Sequence, residues 1–197
     1  MSKGTEIKIV EEAQKPLSMN PKKFALWIFM ATVVMLFGAW TSAFLVKRGA
    51  PGWVEIVIPD LFTVNTIIIV ISSLTMVWAV IAARKDKLET VKVALSITAI
   101  LGVAFMVGQY FATFGQMVEL NEHLTGGAVS HSFVYVLSWA HVAHVVSAVI
   151  FLVIVLLATF RYKVHSKSMN QLEMCAQYWH FLGVLWLYLF GFLHFYK

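Results

Sequence analysis

The chain has 197 residues, 60% of them hydrophobic and 13% charged, with a mean hydropathy of +0.79 and a formal charge of +5. That is far below the roughly 25% charged residues of soluble domains and identifies a membrane protein. The single cysteine, Cys175, excludes an internal disulfide, no Cys/His cluster suggests a zinc or iron–sulfur site, and the basic residues sit in short loops, where they serve topology and not nucleic-acid binding.

Residues 1–23 form a polar tail with neither the apolar core of a secretory signal nor the arginine bias of a transit peptide, so the mature chain is expected to start at or near Met1. Windows free of Asp, Glu, Lys and Arg follow at 24–46, 61–83, 93–118, 133–160 and 174–196, each long enough to cross a bilayer core, which takes roughly 20 helical residues. Residues 24–197 are therefore predicted to be one all-α bundle of five transmembrane helices, without repeats or linkers. All four prolines fall outside the windows, so the helices run unbroken. Twelve basic residues lie in the tail and in 84–92 and 161–173, against three on the alternate side, which predicts the N-terminus inside and the C-terminus outside the membrane.

Helix pairing in lipid relies on small residues and interhelical hydrogen bonds. The first span offers Gly38 and Ser42, expected to form a small-residue groove on the side that carries Val33. The second carries Asn65, Thr66, Ser72, Ser73 and Thr75, which need partners in a dry interior, and the third places Ala104, Gly108 and Ala112 four apart on one packing face.

No span has a carboxylate in its interior: all ten acidic residues lie in the tail, in loops or beside helix ends. A proton wire of buried acids, a di-metal carboxylate site, a phosphate loop and a nucleophile elbow are all missing. Histidine remains. His131 to His144 and His180 to His194 each span roughly 20 Å of helix, so antiparallel fourth and fifth helices could pair His131 with His194 and His144 with His180 as axial ligands of two haems. The competing reading is structural histidines hydrogen-bonded across helices.

The closing stretch YWHFLGVLWLYLF (178–190) resembles the Y-W-H-F-x-D-x-x-W-x-x-L-F pattern in the last helix of subunit III of haem-copper oxygen reductases. WAHVAHV (139–145) is similar to the family's G-x-H-x-x-H-V, NTIIIVISSLTMVWA (65–79) to N-T followed by S-S-x-T-x-x-W-A, LGVAFMVGQ (101–109) to L-G-x-x-F-x-x-x-Q, and WIFMATVVMLFGAW (27–40) to W-L-F-L-A-S-E-V-M-F-F-G. The five matches occur in order and cover 24–197. The resemblance implies an accessory subunit of a cytochrome c oxidase complex of a bacterial plasma (inner) membrane, in the short five-helix form, with no catalytic residue, no metal and no cofactor of its own apart from phospholipid. Haems and copper are implied for subunits I and II, which would be its partners together with a small subunit IV and a quinol:cytochrome c reductase complex in a supercomplex. Accessory subunits of quinol oxidases and nitric-oxide reductases, and a di-haem cytochrome b, are the alternatives. The resemblance assigns structural, lipid or subunit contacts to Asn65, Trp78, Gln109, His141, His144, Tyr178, Trp179, His180, Phe181 and Trp186. Tyr178 and Trp179, near the inner boundary, and Tyr196 with Lys197 at the outer, also read as interfacial anchors. Three positions depart from the family pattern: acids of that pattern fall on Val33, Ala112 and Gly183.

Overall fold

The computed structural model describes residues 20–49, 51, 53, 60–119, 129–161 and 169–196, the side chains of 114 and 116–119 excepted. Most of the polar tail, Lys197 and the loops at 54–59, 120–128 and 162–168 lie outside the described residues. Five helices run in chain order: α1 (Pro21–Arg48), α2 (Asp60–Arg84), α3 (Leu88–Glu119), α4 (Val129–Phe160) and α5 (Asn170–Tyr196). All five are long and apolar enough to span a membrane, and no strand occurs among the described residues.

Each helix contains its charge-free window and extends a few residues into the polar flanks. Pro21 opens α1 at a position where its missing N–H costs nothing, and Asn20 caps the end by accepting from the Lys22 amide at 3.1 Å. Lys47 and Arg48 close α1, Arg84 closes α2, and Asp60, Glu89 and Glu173 occupy first turns, so the ionisable groups complement the helix dipoles at the ends of the spans. The α2–α3 connection is tight. Asp86 adopts φ 51°, a left-handed conformation that a short polar side chain tolerates, and the amides of Lys85 and Lys87 both donate to Ala82 O.

Four helices form a ring in the order α2, α3, α4, α5, and α1 packs outside it against α4 and α5. Helices α3 and α5 stand diagonally and meet only through large side chains: Trp179 reaches Gly102, and Trp186 packs edge-on to Phe105 at 5.4 Å. The centre is aromatic, with Trp186, Phe37, Phe62 and Phe105 all fully buried. Around the outside Met35, Leu74, Phe111 and Phe195 are exposed, as membrane-facing surfaces require.

Two packing expectations need correction. On α1 the buried stripe is Val33, Phe37, Thr41 and Phe44, whereas Gly38 and Ser42 are exposed and Gly38 has nothing within 4 Å of a Cβ position. Val33 thus faces the bundle and not the small-residue groove, because five residues of helix separate it from Gly38 by more than a quarter turn. On α3 Gly108 makes a close approach and Ala112 is buried, as expected of the row, but Ala104 is exposed; the row drifts off the packing face there, and the other close approach is made by Gly102.

Candidate functional site: the aromatic and polar seams of the bundle

Most of the polar groups of α2 have interhelical partners, Asn65 Oδ1 being the exception. Asn65 Nδ2 donates to Gln109 Oε1 of α3 at 3.2 Å, Thr75 and Thr98 share a hydroxyl bond of 2.8 Å, and two indoles of α5 donate back to α2: Trp179 Nε1 to Ser72 Oγ and Trp186 Nε1 to Thr66 Oγ1, both at 3.0 Å. Ser73 lies against Gly183, where a Cβ would stand 3.2 Å from its Oγ. Gly108 lets α2 approach until a Cβ there would overlap Asn65 Oδ1. Backbone proximity therefore depends on that glycine, as small residues in membrane helices generally provide.

A second seam joins α4, α5 and α1. Tyr178 Oη shares a bond of 2.7 Å with Ser147 Oγ and donates to His144 O at 3.3 Å, while Tyr188 Oη and Thr41 Oγ1 lie 3.0 Å apart. The histidines of this seam were expected to bond across helices. The structure corrects that: His144 Nδ1 pairs with Ala140 O of its own helix at 2.7 Å, and its ring meets Phe29 and Phe37 of α1. His141 is fully buried among Phe37, Phe105 and Trp186, with ring centroids 5.3–6.5 Å away. The direct contacts of these imidazoles with neighbouring helices are ring contacts.

The paired-haem geometry is also overturned. His144 faces α1 and Tyr178, whereas His180, two residues on from Tyr178 and so on the other side of α5, lines a cavity against α2. His194 is exposed and stacks on Phe190 and Phe195 of its own helix. At the level of His141, Trp186 of α5 packs against the imidazole of α4, with ring centroids 5.3 Å apart. Among the described residues no group of three or more His, Cys, Asp and Glu is placed to hold a metal ion.

The remaining singled-out residues fall in distinct places. Tyr178 and Trp179 are buried at 4% and 2% exposure, so they belong to the bundle core and not to a headgroup belt. Tyr196 is exposed at the far end of α5, with the Arg48 guanidinium 5.7 Å from its ring centroid, an interfacial arrangement. Trp78 points outward and Phe181 is half-buried. Val33, Ala112 and Gly183, the positions that depart from the acidic pattern, all face the interior.

One cavity escapes a reading of the sequence because it is assembled from three helix ends. It has about 460 Å³ and lies at the tail side of the bundle, with Val77, Val80 and Ile81 as an apolar wall and Lys23, Arg84 and His180 as basic groups. Glu173 stands 3.8 Å from Arg84, and Gln177 Oε1 is enclosed without a hydrogen-bond partner among the described residues.

Comparison with known proteins agrees with this architecture. The family model for cytochrome c oxidase subunit III matches residues 20–197. Similar proteins include cytochrome c oxidase subunit 3 of Alkalihalophilus pseudofirmus, 26% identical over 86% of this chain and 84% of that protein, and a probable quinol oxidase subunit 3 of Staphylococcus saprophyticus, 27% identical over 87% of each. A probable cytochrome c oxidase subunit 3 of Rickettsia conorii is 30% identical over 94% of this chain and 71% of its own length. A five-helix bundle knitted by the Asn65–Gln109, Trp179–Ser72 and Trp186–Thr66 bonds, with the family model spanning it from the cap of α1 to the last residue, belongs to the cytochrome c oxidase subunit III family: it is an accessory subunit of a haem-copper oxidase.

Proposed function

We propose that this subunit packs in the plane of a bacterial plasma membrane against subunit I of a cytochrome c oxidase, carries no redox centre, and holds phospholipid at its tail side. The observation that carries this reading is where the polar groups are used. Asn65 of α2 and Trp179 and Trp186 of α5 spend donors inside the bundle, Gln109 of α3 accepts there, and apolar side chains are turned outward, a surface suited to lipid and to membrane-embedded partners. On this reading electrons and protons are handled by subunits I and II, and the chain supplies a rigid flank. Its basic loops at 84–92 and 161–173 face the cytoplasm.

The cavity suits a phospholipid headgroup. Lys23 and Arg84 offer positive charge to a phosphate, Gln177 Oε1 accepts from a hydroxyl or ammonium, and Val77, Val80 and Ile81 line a path for an acyl chain. Quinol as the electron donor is a second reading, favoured by the quinol-oxidase name of the Staphylococcus relative; the donor docks on other subunits, so the partner set decides. The test is gentle purification of the tagged chain from native membranes, with mass spectrometry of proteins and lipids and a haem spectrum of the separated subunit. Copurification of subunits I and II, with a cytochrome c-binding subunit II, supports the proposal. A bis-histidine haem spectrum from the separated chain, abolished by His144→Ala, would overturn it.

A further inference from the structure

In the half of the bundle away from the tail, six buried polar atoms share one feature: Asn65 Oδ1, Gln109 Nε2, Thr113 Oγ1, Ser138 Oγ and both ring nitrogens of His141 have no hydrogen-bond partner among the described residues. Their residues are at most 6% exposed. They also lie together. Asn65 and Gln109 are bonded to each other. The ring contacts Phe105–His141 at 5.9 Å and Tyr110–Trp139 at 6.3 Å set α3 and α4 antiparallel in a register that brings Gln109 level with Ser138. Phe105, Gln109 and Thr113 follow at four-residue intervals on one face of α3, and Ser138 and His141 are three apart on α4, so the atoms line one seam between α2, α3 and α4.

Buried donors and acceptors are almost always paired, and helical hydroxyls ordinarily turn back to their own carbonyls, as Thr66, Thr98 and Thr159 do here. The chemistry of the unpaired set selects its ligand. The span segments that carry these residues contain no carboxylate, so a cation would lack a counter-charge within them. An apolar ligand would leave every donor and acceptor unmet. The set contains donors, the Gln109 amide and whichever imidazole nitrogen carries the proton, and acceptors, Asn65 Oδ1 and the other imidazole nitrogen. Exchanging O and N in both amides leaves the same balance of one free donor and one free acceptor. Only a small neutral molecule that both donates and accepts answers all of them.

We infer that Asn65, Gln109, Ser138 and His141 form an internal water site, a buried hydrogen-bonded node that links α2, α3 and α4 and gives His141 the polar partners its aromatic cage denies it. Internal waters typically make about three hydrogen bonds to otherwise unpaired groups, the valence this node offers. Thr113, one turn from Gln109, extends the site away from the bundle centre, while Phe37, Phe105 and Trp186 close it around the imidazole.

A high-resolution map of the intact oxidase is the direct test. Solvent density within hydrogen-bonding distance of Gln109 and of either His141 nitrogen is the expected result; continuous protein packing there, with Ser138 or Gln109 bonded directly to the imidazole and no such density, overturns the inference. A double-mutant cycle on the intact complex reads the same node energetically, using Gln109→Leu and His141→Phe, which remove polar atoms while keeping bulk. A shared water makes the double variant's fall in melting temperature clearly smaller than the sum of the two single falls. Additive falls would mean that no bridge connects the two side chains, and the node would be rejected.

Discussion

Gly102→Ala isolates the contact on which the centre of the bundle turns. A Cβ at residue 102 would stand 2.5 Å from Trp179 Cη2, 3.1 Å from Cζ2 and 3.4 Å from Val149 Cγ2. Real Cβ atoms do not approach below 3.0 Å, so the indole must withdraw by about half an ångström, and it is not free to do so because Nε1 donates to Ser72 Oγ at 3.0 Å. Overpacking a tight core costs about 1–3 kcal/mol, and stretching the indole bond adds about 1. Alanine gains about 1 kcal/mol over glycine in a helix. The net is a loss of about 1–3 kcal/mol, or roughly 2–12 °C in melting temperature for a chain of this size. The buried Cys175 supplies the assay, since it is the only cysteine of the chain and a thiol-reactive fluorophore reports its exposure as the solubilised subunit unfolds. Gly38→Ala is the matched control: nothing lies within 4 Å of its Cβ position, so its melting temperature should stay level or rise. If Gly102→Ala melts with the control, the indole is not confined between Gly102 and Ser72 and the description of the core is wrong.

Three further outcomes are expected. Cysteines placed at Lys87 and at Thr125 should be labelled by an impermeant reagent from opposite faces of the membrane; labelling from one face would refute the charge-based topology. Removing both cavity cations with Lys23→Ala and Arg84→Ala should lower the phospholipid retained by the purified complex by roughly half or more, with subunit composition unchanged, and equal lipid content would remove the cavity as the lipid site. Gly38→Leu, on the exposed side of α1, should leave the subunit's own melting temperature unchanged while weakening its retention in the complex if that face meets a partner, and retention at the wild-type ratio would mark it as lipid-facing.

The spans were legible because hydropathy and charge exclusion act on every residue of a membrane helix, and all five windows fall inside α1 to α5. The needs of the α2 polar residues were legible for the same reason, since in a dry interior the acceptor oxygens of Ser72 and Thr66 are met by donors of a neighbouring helix. Which neighbour was not. A hydroxyl in the sequence does not reveal that an indole more than a hundred positions later will reach it. Nor does the run Tyr178–Trp179–His180 show that three successive side chains point to Ser147, to Ser72 and into the basic cavity. The spacing of His144 and His180 suited a haem pair along the helix axes; rotation about those axes, fixed by Tyr178 and Trp179, turns the two imidazoles apart. Resemblance to a family pattern located the motif residues, but only packing separates those that hold the bundle from those, such as Trp78, that face away.

Whether the tryptophan hydrogen bonds or the tryptophan rings stabilise this subunit can be decided by magnitude. Trp186 is fully buried and touches Phe62, Phe105 and His141 while donating to Thr66 Oγ1, which in turn donates to Phe62 O at 2.8 Å. Interhelical hydrogen bonds in membranes average about 0.6 kcal/mol in double-mutant cycles, because the separated helices find other partners. Shrinking a large buried side chain leaves a cavity that costs several times as much, about 2–4 kcal/mol for an indole reduced to a phenyl ring by scaling from aromatic truncations. Trp186→Phe should therefore destabilise the subunit by about that amount, Thr66→Val by well under 1.5 kcal/mol, and the coupling between them should stay near 0.6 kcal/mol. On that outcome the indole bond sets the rotation of α5 against α2, and the ring supplies the cohesion. A coupling above about 2 kcal/mol would reverse the assignment and make the polar seam the main source of stability.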